Sequence, residues 1–372
     1  MVGAEGVFCD HNAGGPPTAE VLAMFVATER DCPGNPASVH TPGRRARAVL
    51  EDARQRIGAA CGVAAADVLF TSGGTEAANL AVLGLGDRHL PVVLGPTEHP
   101  AVFEPALQRG VCLWSVDASG ALQVVEPERQ AGLLCVVHAQ SELGTLQPVA
   151  EVAALAARLQ VPWFVDAAQT LGRMPLHEVL LRGAVVALSP HKAGGLRGHG
   201  VLLGHDLQRR LRPLLHGGAQ EFGLRPGTQS PALAAANALA IERALAEQPQ
   251  RAARMASARD AFLAGVVATG VLHRVLTPLA NSLPNTVMLH FPQVDGRNLV
   301  PTLDLAGIHA SHGSACSSGA PTPPRILTAI GLDDSEARAC VRFSFGWNEA
   351  DESLHAVGRR VGDTVRARQK KI

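Results

Sequence analysis

The chain reads as an α/β protein: a mostly parallel sheet packed between helices, joined to a smaller α+β unit. Three observations predict this class. Short apolar runs alternate with longer stretches of helical period, the pattern of βαβ units. That alternation gives way to a different texture near residue 250. The 372 residues suffice for one large core with a smaller companion.

The elements follow in order. A helical stretch at 43–61 leads into an apolar strand at 68–71 and a second helix at 75–85. A strand at 92–95 precedes a helix at 100–109. A strand at 135–138, a helix at 148–159 and a strand at 163–166 form the next unit, with further strands at 185–189 and 201–203. Short apolar strands joined by helices of this length pair in parallel. Two long Ala-rich helices are expected at 232–246 and 250–268. Beyond them, strands at 286–291 and 340–345 flank a helix at 296–306, which reads as α+β. The expected division is 14–248 for the large domain, and 1–13 with 249–372 for the small one. GSACSSGAPTPP at 313–324 is the one Ser/Gly/Pro-rich segment long enough for a mobile loop.

Composition excludes several functions. Lys+Arg and Asp+Glu balance at 33 each, so the chain carries no electrostatic footprint for nucleic acid or an anionic membrane. Ten Phe, three Trp and no Tyr argue against a base-stacking platform. MVGAEGVFCDHN has neither the basic region nor the apolar region of a signal peptide, and no apolar run approaches a bilayer span of about 20 residues. A soluble, cytoplasmic protein is expected. The seven cysteines form no CxxC pair and no metal-ligand spacing, so no metal site is expected. Most should pack as small apolar residues.

The lysine count is more informative. Only Lys192, Lys370 and Lys371 occur, and the last two lie in a basic tail, RARQKKI, expected to fray. Lys192 is the single lysine within the body of an otherwise arginine-using chain. It sits in SPHK at 189–192, at the end of a buried strand and before a Gly-rich turn. Strand carboxyl ends are where open α/β sheets bind ligands. A partly desolvated amine there is a nucleophile; otherwise it is an exposed loop lysine.

Asp166 ends another apolar strand, in VDAAQ. A carboxylate there can hold a proton on a pyridine nitrogen and make that ring an electron sink, or it can cap a following helix. Gln169 could donate to such a ring's phenolic oxygen. FTSGGTE at 70–76 is a strand, a Gly-rich turn and a helix start. Backbone N–H groups of Gly74 and Thr75, with the Thr75 hydroxyl, make an anion site there, or simply a capped helix. His99, in EHP, can stack on a ring or relay protons, or play a structural part. No strand is followed by GxGxxG with a later acid, which argues against a nicotinamide enzyme.

Together these segments resemble a known family. DHNAGGPP, GNPASVH, FTSGGTEAANL, EHPAV, ELGTLQP, FVDAAQ, LSPHKAGGLRGHG, GGAQEFGLRPGTQSP, GSACSSG and VRFSFG occur in the order found in the NifS/IscS-type cysteine desulfurases of the class V aminotransferase group. The resemblance covers nearly the whole chain. It implies fold type I of the pyridoxal 5'-phosphate (PLP) enzymes, with a mostly parallel seven-stranded sheet and a smaller α+β domain carrying the catalytic Cys loop.

The resemblance also implies roles. Lys192 matches the lysine that carries PLP as a Schiff base, and His99 the ring-stacking histidine. Asp166 and Gln169 match the partners of the ring nitrogen and phenolic oxygen. Gly74, Thr75, Ser189 and His191 match the phosphate site. Thr228 matches a phosphate ligand reaching over from the second subunit of a homodimer. Arg342 matches the clamp on the substrate carboxylate, a task suited to a guanidinium fork. Asn12 and Ser141 fall among the substrate-side residues. Cys316 matches the thiolate that takes sulfur from L-cysteine as a persulfide, leaving alanine, before passing it to an acceptor such as an iron–sulfur scaffold or a sulfur carrier.

The chain departs from the family at three places. Ala13-Gly14-Gly15 stands where Ala-Thr-Thr is usual. Gln140-Ser141 stands where Asn-Asn is usual, and serine lacks the amide's two donors. Only VGDTVRARQKKI follows the last expected helix, shorter than many partner-docking tails. The Ser141 departure motivates two alternatives on this scaffold, a selenocysteine lyase or another PLP β-lyase. A non-catalytic sulfur-relay homologue is a third.

Overall fold

The structure, a computed structural model, describes residues 6–176, 183–294, 296–313 and 323–369. Cys316, Lys370 and Lys371 lie outside the described residues.

Seven strands form the main sheet: β1 (Val68–Thr71), β2 (Val92–Leu94), β3 (Val111–Leu113), β4 (Leu133–Val137), β5 (Trp163–Asp166), β6 (Val185–Leu188) and β7 (Gly200–Leu203). Their spatial order is β1-β7-β6-β5-β4-β2-β3. β7 is antiparallel to both its neighbours, and every other pairing is parallel. Six strands therefore end at one edge of the sheet. The expected fold class is the observed one. The edge strand β3 was not expected, because three residues of mixed burial carry too little pattern.

Burial explains the continuous apolar strands. One face buries Phe70, Leu134, Val136, Trp163, Val165 and Val186. The other buries Leu69, Leu133, Cys135, Phe164, Val185 and Leu202. The alternation is the period of two along each strand, and both faces are covered by helices. On the first face lie α2 (Thr41–Cys61), α5 (Val149–Leu159) and α6 (Pro231–Ala246). On the second lie α3 (Gly74–Gly84) and α4 (Pro100–Leu107). α2 opens two residues before its expected start because His40 caps it, its Nδ1 accepting from Gly43 N at 3.2 Å. α1 (Ala19–Asp31), also unexpected, buries fully only Val21, and Met24 and Phe25 help it lean on Ala236 and Ala240 of α6.

A second core gathers Cys9, Phe262, Leu289, Phe343 and Val361. It joins α7 (Gln248–Val267), α8 (Gly296–Leu305) and α9 (Asp351–Gln369) to a three-stranded antiparallel sheet of β8 (Arg274–Val275), β9 (Thr286–His290) and β10 (Cys340–Ser344). Val7–Phe8 pairs in parallel with Ile308–His309, so the N-terminal residues belong to this core. α7 and α9 cross closely. A Cβ on Gly265 would meet His355 O at 2.1 Å, and one on Gly358 would meet Phe262 O at 2.1 Å.

α9 corrects one expectation. Arg366 to Gln369 do not fray: Arg366 Nη1 donates to Thr269 O at 2.8 Å, and Gln369 Nε2 to Leu272 O at 2.9 Å. Much of the supposed tail after residue 360 is helix, with Val361 and Val365 buried.

Candidate active site

The sheet edge where six strands end opens on a cavity of about 220 Å³. Its lining comes from the segments just past β1, β2, β4, β5 and β6, with contributions from Asn12 and Arg342. This is where an open α/β sheet places its ligands. Among the described residues, every expected site residue except Thr228 lines it; Cys316 lies outside the described residues. Thr228 is exposed elsewhere on the chain.

Lys192 ends the 3-10 turn Pro190–Lys192, directly after β6. The turn is tight: Ala193 N and Gly195 N both donate to Pro190 O, at 2.8 and 3.0 Å. A Cβ on Gly195 would lie 2.4 Å from Asn237 Oδ1, so only glycine passes there. The turn leaves the lysine half-buried at the edge of the cavity. Burial pushes its pKa down to about 8, opposed by Asp166 and Glu142 and assisted by Arg173 and Arg342. The amine is therefore substantially neutral near pH 8. In the apoprotein, its modification by a small aldehyde trapped with borohydride should be half-maximal near pH 8. An ordinary lysine would need about pH 10.4. Peptide mass mapping across a pH series reads this directly.

Asp166 is the last residue of β5 and is 7% exposed. Its Oδ1 accepts from Ala168 N at 2.9 Å. The chain then runs through turns, so Asp166 fixes a turn rather than capping a helix. Gln169 donates from Nε2 to Asn12 O at 2.9 Å and accepts at Oε1 from Arg173.

His99 caps α4, its Nδ1 accepting from Ala101 N at 3.0 Å. That bond leaves the ring proton on Nε2. Burial holds the ring below its usual pKa, with Asp166 opposing and Lys192 assisting. His191 is neutral too: burial pushes it down to about 4, with Lys192 and Arg197 adding to the effect. Glu98 lies behind His99, and burial raises its carboxyl to about 8. Its Oε1 accepts from Val137 N at 2.8 Å, tying the end of β2 to the end of β4.

The start of α3 forms a cradle. Gly73 is the N-cap residue and makes no side-chain cap bond, so the first N–H groups of the helix remain available to an anion. A Cβ on Gly74 would lie 2.4 Å from Ser189 Oγ, so a side chain there would push the Ser189 hydroxyl out of its place in the cradle.

Arg342 points from β10 and is 2% exposed. Its Nη2 donates to Asp10 Oδ1 at 2.7 Å and its Nη1 to Ser141 O at 3.0 Å, while its buried Nε has no partner in the protein. Asp10, the first residue of DHNAGGPP, carries no site signal in the sequence, yet the fold brings it onto Arg342. Asn12 departs from expectation. Both hydrogens of its amide are spent, on Ser141 O at 3.0 Å and Thr286 Oγ1 at 2.9 Å, and its Oδ1 accepts from Asn285 at 3.0 Å. It fastens the N-terminal segment rather than offering donors to a ligand. Ser141 Oγ donates to Glu142 Oε2 at 2.8 Å, so its hydroxyl is also committed.

Four other cysteines, Cys9, Cys61, Cys135 and Cys340, are buried, as expected of packing residues. Burial pushes the thiols of Cys9, Cys61 and Cys340 up to about 12, which disfavours thiolate. Cys32 and Cys112 are half-buried. Among the described residues no His/Cys/Asp/Glu group could hold a metal ion, and no helix is long and apolar enough to cross a membrane.

A half-buried, desolvated amine, a carboxylate, a glycine-lined anion cradle and a guanidinium fork meet at the carboxyl edge of a mostly parallel sheet. Together they form a lysine-centred candidate active site on an α/β fold. The Aminotransferase class-V model matches residues 7–357, and the chain belongs to that family. The cysteine desulfurase IscS of Dictyoglomus turgidum is 32% identical over 94% of this chain and 92% of its own length. The cysteine desulfurase NifS of Azotobacter vinelandii is 32% identical over 96% of this chain and 92% of its own length. A solved NifS-like protein superposes with a TM-score of 0.86 at 28% identity, covering 96% of this chain and 98% of its own.

Proposed function

We propose that this chain is a cysteine desulfurase whose Lys192 holds PLP in the cavity at the sheet edge. The observation that carries the reading is the convergence of Lys192, Asp166, the α3 cradle and Arg342 on that one cavity. The residues fit the cofactor. Gly74, Thr75, Ser189 and the neutral His191 suit a phosphate, Asp166 suits a pyridine nitrogen, and the Gln169 amide suits a phenolic oxygen. Bound there, PLP supplies an electron sink for the charge left when the substrate loses its Cα proton.

The chain's own groups do the rest. The Arg342 fork binds the substrate carboxylate through Nε and its remaining hydrogens. The Lys192 amine, already inclined to the neutral form, takes the Cα proton. His99 carries its proton on Nε2 and moves one to or from the substrate thiol. The Cys316 thiolate attacks the substrate sulfur, the Cβ–S bond breaks and its electron pair stays with carbon. Alanine leaves and the sulfur remains on Cys316 as a persulfide. The Cys316 segment belongs with the small domain of residues 1–13 and 249–372. Thr228, exposed on its own chain, serves the phosphate of a second copy in a homodimer. The persulfide passes to an iron–sulfur scaffold or sulfur carrier in the cytoplasm.

A substrate panel tests this reading. PLP-loaded protein should release alanine from L-cysteine; release from L-selenocysteine alone would replace the assignment with a selenocysteine lyase. A Gly74→Ala variant tests the cradle. Its Cβ would sit 2.4 Å from Ser189 Oγ, so PLP affinity should fall about tenfold, ~1.4 kcal/mol, with little change in apoprotein melting. Absorbance titration of the apoprotein measures it.

A further inference from the structure

Arg173 lies behind the active-site cavity and is 3% exposed. Among the described residues its guanidinium bonds only neutral oxygens. Nη1 donates to the Gln169 side-chain carbonyl and to Gln169 O at 3.4 Å. Nη2 donates to His11 O at 3.0 Å and Lys192 O at 3.4 Å. Among the described residues no carboxylate offsets its charge: burial and the neighbouring Arg342 act on it, and no acid does. A buried cation without a counter-charge is costly to a fold. What this one holds is therefore informative.

A guanidinium has donors and no acceptor, so it fixes the orientation of the Gln169 amide. Oε1 must face Arg173, and Nε2 is left to donate to Asn12 O at 2.9 Å with one further hydrogen. Gln169 therefore offers the cavity a donor and never an acceptor. This matters more here because the Ser141 hydroxyl is spent on Glu142. The same guanidinium ties the backbones of His11 and Lys192 together, joining the N-terminal segment to the lysine turn.

We propose that Arg173 is a positioning residue of this site: it turns the Gln169 amide donor toward the cofactor and places a fixed positive charge behind Lys192. The inference rests on the functional reading above. Around Lys192, Arg173 and Arg342 supply positive charge, Asp166 and Glu142 oppose them, and His99 and His191 are neutral. Removing Arg173 takes away a positive neighbour and frees Gln169 to flip. Both changes would favour retention of a proton on the Lys192 nitrogen when the cofactor is bound.

The test is a pH titration of the visible cofactor band in PLP-loaded full-length protein, comparing the wild type, Arg173→Met and Arg173→Lys. The midpoint should rise by about one pH unit in R173M, a tenfold change in the proton equilibrium. R173K keeps the charge and loses the fork. Its midpoint should stay within about 0.3 unit, while PLP dissociates at least about fivefold faster. A midpoint in R173M equal to the wild type would overturn the proposal. If R173M does not fold, R173K decides: dissociation at the wild-type rate would overturn it equally. A wild type with no visible band overturns the functional reading, and this inference with it.

Discussion

Lys192→Ala should lower alanine formation from L-cysteine by at least about a thousandfold. On the proposed reading two functions are lost at once, the amine that would hold the cofactor and the base that would take the Cα proton. No other described residue can replace it, because no other lysine stands within the body of the chain. The protein should nonetheless fold. Lys192 is a desolvated amine whose pKa is pushed down to about 8 by burial, with Arg173 and Arg342 adding repulsion. At pH 7 its protonated form is a burden on the folded state, so its removal should leave the melting temperature unchanged or raised. A large loss of rate without loss of stability separates a chemical role from a structural one. Steady-state alanine release and thermal melting, measured side by side, read both.

Arg342→Ala should cost about a hundredfold to a thousandfold in kcat/KM for L-cysteine, ~3–4 kcal/mol. The buried fork would no longer meet the substrate carboxylate. The same change strips Asp10 of its partner at 2.7 Å and Ser141 O of its donor at 3.0 Å. Asp10 retains some contact with water, its side chain being 19% exposed, so the stability loss should be modest, about 1–2 kcal/mol. Arg342→Lys restores a charge but not the planar fork, and should recover only part of kcat/KM. Steady-state kinetics of the three proteins, with denaturant melts, separates the substrate contact from the Asp10 tie.

Much of this site was legible because its chemistry sits where the fold exposes it. Strands β1, β4, β5 and β6 are buried on both faces, so they read as continuous apolar runs, and the polar residues that end them stand out. Lys192 stood out through composition alone. What the sequence hid was partnership. Nothing in AQTLGR marks Arg173 as reaching the Lys192 carbonyl, since that contact depends on two turns meeting in space. Nothing in DHN shows that both Asn12 amide hydrogens are spent on residues far along the chain. Asp10 and Arg342, 332 positions apart, likewise meet only through folding. Among the elements, α1 was hidden because it buries little, and the C-terminal half of α9 because its arginines resemble a solvated tail. There Val361 and Val365 pack on the second core while Arg366 caps a distant carbonyl.

The most direct test is alanine production from L-cysteine by PLP-loaded protein under reductant, beside Cys316→Ser. The account predicts alanine from the wild type, and little from the variant although its cofactor band is retained. Full-rate alanine from Cys316→Ser, or none from a wild type that shows the band, would contradict it.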